Sequence, residues 1–248
     1  MNCRKCNKEL TEKHRKQWKA DMVYTDPPYG MNLDTDYTKR NKSGLGKKYR
    51  PVIGDDKPFD PAHIFEMFGY CNEIFLWGGD YYAQRLPEMG SWIVWDKTEK
   101  INSDHYDHNT LQNAGFASAF ELCWSKSPHK RYLEKLLWRG IYGEGKDEER
   151  TFAGGHIDRK HPTQKPILLI ERQLNRFGKD KTNVVDLYLG SGSTLIACEK
   201  TNHKCFGMEI DPHYCSVIIE RWQKFSGKKA LLESKPIVRK KGSKVKKK

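Results

Sequence analysis

Residues 183–211, NVVDLYLGSGSTLIACEKTNHKCFGMEID, constrain the fold more than any other stretch of the chain. The opening run, 183–190, is apolar without alternation, the pattern of a strand buried on both faces of a parallel sheet. Gly190 and Gly192 then turn the chain where backbone must pass close to a ligand. Residues 191–201 read as a helix whose first-turn N–H groups have no partner inside it. A second strand, 204–210, carries Glu209, nineteen residues after Gly190. Strand, helix and strand in this order commit the chain to a parallel sheet.

The same run bears on ligand chemistry. An acid at the end of the second strand suits a ribose diol, whose hydroxyl protons a carboxylate accepts. The third glycine of the dinucleotide fingerprint is replaced by Leu195, and there is no Gly-x-x-x-x-Gly-Lys-Ser/Thr phosphate loop. S-adenosylmethionine fits what remains: a ribose, a zwitterionic tail and no pyrophosphate. The plainer alternative is a glycine-rich turn in an ordinary βαβ unit.

Elsewhere the pattern repeats. Strands are expected at 22–25, 73–79, 91–97 and 118–126, and helices at 61–70, 80–88 and 212–225. Asp60 caps the first helix, with Pro61 at its first position. HPTQKP (161–166) opens another helix, with Thr163 as its cap and Ile167, Ile170, Leu174 and Phe177 as its apolar stripe. Residues 30–58 form a long loop. Between 127 and 160 periodicity fades, and the segment reads as a surface insertion. The fold class is α/β, a doubly wound, mostly parallel sheet. Residues 1–20 form a basic N-terminal segment, 21–234 the catalytic domain with 126–160 inserted, and 235–248 a basic disordered tail.

Residues 21–30, DMVYTDPPYG, raise the question of chemistry. Two prolines end the strand, because each lacks an N–H and fixes φ. An acid, carbonyls and an aromatic ring are left at the carboxyl edge of the sheet, where open α/β sheets bind ligands. The null alternative is a proline-rich turn. The basic run 38–50 follows closely, with six positive charges, two glycines and no acid.

The 248-residue chain carries a net charge of +13, eight of it in the tail, so +5 is left for the rest. That balance favours a polyanionic partner. No apolar run is long enough to span a membrane, no secretory leader is read, and seven scattered cysteines suggest a reducing compartment. A cytoplasmic location is expected. Cys3 and Cys6 have zinc-knuckle spacing without a second pair, and 103–109 crowds two histidines with two acids. No metal is expected at either.

With DPPYG, HPTQKP and DLYLGSGSTLIA in this order, residues 21–225 resemble the β-class DNA amino-methyltransferases, which methylate adenine N6 or cytosine N4 with S-adenosylmethionine. The resemblance implies a Rossmann-like seven-stranded sheet with one antiparallel strand and a small recognition insertion. It makes Asp26, Pro27, Pro28 and Tyr29 the catalytic set. Asp26 and the Pro27 carbonyl would accept the amine hydrogens, and Tyr29 would stack on an extruded base. It places Asp186, Gly190, Ser191, Gly192 and Ser193 around the methionine moiety, Glu209 on the ribose, and Thr163 and Lys165 near the methionine carboxylate. Lys39, Arg40, Lys47, Lys48, Lys130, Arg131 and Arg139 would meet double-stranded DNA. A homodimer, a cognate restriction nuclease and a nucleoid-associated setting in a bacterial or phage-infected cell are compatible with it. Asp at the head of DPPY points to adenine. Cytosine N4, an RNA substrate and a non-catalytic nucleic-acid-binding module are the alternatives. Cytosine C5 chemistry would want a Pro-Cys pair, which is absent.

Overall fold

The structure is a computed structural model that describes residues 2–3, 8–9, 19–38, 46–98, 118–139, 142–143 and 157–232. Its centre is a seven-stranded sheet of β1 (Met22–Thr25), β2 (Glu73–Trp77), β3 (Ser91–Asp96), β4 (Phe120–Ser125), β5 (Tyr132–Lys135), β6 (Asn183–Asp186) and β7 (Lys204–Gly207). The spatial order is β7-β6-β1-β2-β4-β3-β5. Only β4 runs antiparallel to its neighbours within this sheet. The expected sheet, with its single reversal, is therefore the one observed.

Both faces are covered, which is why the central strands carry unbroken apolar runs. On one face, Met22, Tyr24, Phe75 and Trp77 pack with Ile167, Ile170 and Leu174 of α2 (Ile167–Phe177) and Ile196 of α3 (Ser193–Lys200). On the other, Val23, Ile74, Leu76 and Val185 pack with Ile64, Met67 and Phe68 of α1 (Ala62–Phe68). A fourth helix, α4 (Pro212–Ser226), buries Tyr214 and Ile218, and its Asp211 cap accepts the His213 N–H.

Two local expectations change. HPTQKP is not part of a helix: α2 begins at Ile167, after an extended Pro166, and Thr163 makes no cap. Residues 161–163 form a turn, with the Gln164 N–H on the His161 carbonyl, and a residue preceding proline is pushed out of the helical region, so the chain becomes helical only at Ile167. Residues 127–160 are not wholly superficial. Tyr132–Lys135 is the edge strand of the sheet, and Leu136, Trp138 and Ile157 lie in the core. Four residues are too few for a periodic signal against the surrounding charge. The described parts of 30–58 form a loop as expected, and they are strapped together: the Tyr37 N–H donates to the Lys47 carbonyl and the Tyr49 N–H to the Thr35 carbonyl. Asp60 does serve the α1 terminus, accepting the Ala62 N–H at 3.0 Å. No described helix is long and apolar enough to cross a membrane.

Candidate active site

From β1 the chain moves outward to β2 on one side, while β6 lies against β1 on the other. The order reverses between β1 and β6, and the crevice outside their carboxyl ends is where such a sheet accepts ligands. DPPYG leaves β1 there and the glycine pair leaves β6 there. A side-chain tie joins the two ends: Thr25 Oγ1 donates to Asp186 Oδ1 at 2.7 Å, and the Tyr188 N–H reaches the same oxygen at 3.1 Å.

One cavity of about 700 Å³ occupies the crevice, within the range of small-molecule and cofactor sites. Asp26, Pro27, Pro28 and Tyr29 line it together with Gly190, Glu209 and Thr163. Gly190 has φ +54°, and a Cβ there would meet only the His161 ring, at 3.8 Å, so its backbone is open to the cavity. Glu209 is aimed by backbone donors: Gly190 N–H to Oε2, and the Ile210 and Asp211 N–H groups to Oε1, each at 2.8 Å. A carboxylate has about four lone-pair positions, so Oε2 keeps one for a hydroxyl. Apolar wall comes from Phe59, Leu187, Met208 and Ile210. The donor set and size fit an adenosine-bearing cofactor.

Not every expected cofactor residue is on that wall. Asp186, Ser191, Gly192 and Ser193 are buried and do not line the cavity. Asp186 spends its Oδ1 on the β1–β6 tie, and burial raises its pKa to about 6. Gly192, at φ +85°, lets α3 start close to Ile218 of α4. His161 is a wall residue that sequence reading passed over. Burial, then Arg159 and Lys165, lowers its pKa to about 3, so it is a neutral ring.

Around Asp26 the side chains converge. Tyr29 Oη donates to Asp26 Oδ1 at 2.6 Å, and Lys165 Nζ donates to Oδ2 at 2.7 Å. Lys165, expected toward the cofactor, thus stands on the acid of the first motif. It is also 3.2 Å from Tyr29 Oη and 3.0 Å from Glu121 Oε2. Glu121 in turn pairs with Lys97. Burial raises the Asp26 pKa, and Lys165 opposes that rise. The Tyr29 ring stacks on Tyr81 at 5.0 Å and 19°. Gly78, φ +66°, makes room for it, since a Cβ there would sit 2.1 Å from the ring.

The basic residues divide. Lys47 and Lys48 are exposed on the strap beside the cavity, Lys47 paired with Asp158 and Lys48 3.8 Å from Asp36. Lys130 and Arg131 precede β5, which runs parallel to β3. They therefore lie at the amino edge of the sheet, opposite the cavity, and the structure does not bring them to the site. Lys39 and Arg40 lie outside the described residues, as do the tail, Cys6 and 103–109; for Arg139 only the backbone is described.

Residues 20–220 match the model of a protein family described as DNA methylase. The type II methyltransferase M.HpaI of Haemophilus parainfluenzae is 27% identical over 219 residues, covering 81% of this chain and 67% of that protein. M2.DpnII of Streptococcus pneumoniae, also a type II methyltransferase, is 24% identical over 238 residues, covering 81% of each. Among solved structures, the M1.HpyAVI–SAM complex superposes with a TM-score of 0.49 at 19% identity, covering 84% of this chain and 92% of that one.

Proposed function

Since this chain belongs to the DNA methylase family, whose S-adenosylmethionine-dependent members act on an exocyclic amino group of a flipped base, we infer that its target is adenine N6 and that Asp26 accepts the amine hydrogen. The observation that carries this is the shared wall. Asp26 and the Gly190–Glu209 pair face one cavity, so acceptor and donor molecule would meet inside it.

An exocyclic amine is a poor nucleophile, because its lone pair is delocalised into the ring. Accepting one N–H at Asp26 and the other at the Pro27 carbonyl favours the pyramidal nitrogen that can attack. The prolines hold that carbonyl rigid and remove competing donors. Tyr29 offers a flat face for the base. When bound, S-adenosylmethionine supplies a sulfonium-activated methyl group. The amine proton is shed to Asp26 or to water. The contribution of the protein is orientation and a preorganised charge distribution.

Glu209 would hold the ribose, with Gly190 alongside. Lys47 and Lys48, on the strap whose Pro51–Asp55 stretch lines the cavity, are suited to meet DNA phosphates, as is the exposed Lys57 on the cavity wall. A homodimer and a cognate nuclease complete this reading, the first checked by analytical ultracentrifugation. The deciding experiment is a nucleoside digest after incubation of DNA with labelled cofactor, read by mass spectrometry. N6-methyladenine is expected. N4-methylcytosine would overturn the base assignment, and label in neither would overturn the reading.

A further inference from the structure

Four charged side chains alternate in sign behind the cavity: Asp26, Lys165, Glu121 and Lys97. Lys165 Nζ is shared, 2.7 Å from Asp26 Oδ2 and 3.0 Å from Glu121 Oε2, and Glu121 pairs on its other side with Lys97. Lys165 and Lys97 are buried, each with its side chain about 7% exposed. Buried charges persist only when paired, and removing one partner leaves the other uncompensated. The topology explains the meeting. Asp26 follows β1 and Lys97 follows β3, both at the carboxyl edge. Glu121 reaches the same edge because β4 runs the other way and brings its beginning there.

We propose that Glu121 is a positioning residue for methyl transfer, holding the Lys165 ammonium between two carboxylates so that Lys165 neutralises Asp26 without monopolising it. The proposal rests on the reading of Asp26 as acceptor of the amine hydrogen. A buried carboxylate with no cation nearby would take up a proton and lose acceptor capacity. A carboxylate in a closed one-to-one pair would spend its lone pairs on the ammonium instead of on the substrate amine. Sharing the cation avoids both outcomes.

The groups acting on Asp26 agree with this. Lys165, Glu121 and Tyr29 stand closest, with Asp186, Tyr24, Tyr82 and Cys123 also coupled to it. Among these, Lys165 is the one cation. Burial pushes the Glu121 pKa up, but Lys165 and Lys97 outweigh it and hold it at about 2, so Glu121 stays an anion. Burial likewise disfavours the Lys165 charge, and Asp26 and Glu121 restore it.

The test is the pH profile of kcat/KM on duplex DNA for Glu121→Gln and Lys165→Met, with Asp26→Asn alongside. Cofactor affinity by calorimetry checks that each variant is folded, and Lys165→Gln, which also removes the charge, stands in if Lys165→Met is not. Lys165→Met leaves Asp26 without its cation and beside Glu121, which Lys97 alone then offsets, so activity should fall about tenfold more at pH 6 than at pH 8. Glu121→Gln frees Lys165 to close on Asp26. The acid limb should then move to lower pH, with kcat falling about tenfold and the KM for DNA unchanged. Opposite displacements of the two limbs support the proposal. Equal, pH-independent losses in both variants, with Asp26→Asn inactive, overturn it and make the network merely structural. A fully active Asp26→Asn overturns the underlying reading instead.

Discussion

At the scale of single residues, Asp186 illustrates how a site residue can be recognised for its position and misjudged in its contacts. It does end β6 beside the glycine pair, but its carboxylate faces Thr25 and the Tyr188 N–H, not the cavity. Its pKa is 3.8 in the open chain and about 6 when folded, chiefly because of burial. The folded state therefore holds its proton more tightly, and stability contributed by that proton is lost as pH rises from 3.8 to about 6. Asp186→Asn keeps the Oδ1 acceptor for Thr25 and the Tyr188 N–H, while Thr194, a third partner of the carboxylate, must reorient as hydroxyl acceptor to the amide, and the titration is removed. Denaturant melts at pH 4 and pH 7 should show wild type losing up to about 3 kcal/mol more than the variant over that interval.

At the scale of elements, β1 and β6 are readable as short apolar runs and α1 and α4 by their helical spacing, and the glycine turn and DPPYG punctuate them clearly. What stayed hidden was non-local. Glu121 is an acid inside the aromatic strand FELCWS, and an acid in a buried strand is a signal that a cation must face it. Which cation depends on the direction of β4 and on the turn through HPTQKP, and neither is a local property. Lys165 is identified by its motif, but its bond to Asp26 was not legible for the same reason.

The segment after β2 carries a prediction of its own. Gly78 supports a left-handed turn and the underside of the Tyr29 ring together. Gly78→Ala should cost about 1–2 kcal/mol for the turn alone, and the ring must shift besides. Thermal unfolding and kcat together check this: a lowered midpoint with much reduced turnover is expected, and full turnover would show that the ring position is not needed.

At the scale of the whole molecule, the sheet has a working edge and a back edge, and charge on the two should matter unequally. Lys47 and Lys48 lie on the strap that goes on to line the cavity at Pro51–Asp55; Lys130 and Arg131 lie opposite. Lys47→Ala with Lys48→Ala should weaken DNA binding and lower the slope of log affinity against log salt by about 2. Lys130→Ala with Arg131→Ala should change that slope little. Fluorescence anisotropy across a salt series separates the two, and equal effects would mean that DNA also engages the back edge.

β1 sits between β2 and β6, and Thr25 is fastened to Asp186 across a separation of 161 residues. Asp26 thus leaves the ribosome well before Asp186, and its crevice lacks a second wall until 183–211 have been translated and Val184–Val185 paired with Met22–Val23. Such a long-range closure is slow to form. A nascent or C-terminally truncated chain would display the acidic corner with nowhere for the methyl donor to lodge. Competence to modify a genome would therefore arrive late in biosynthesis and all at once.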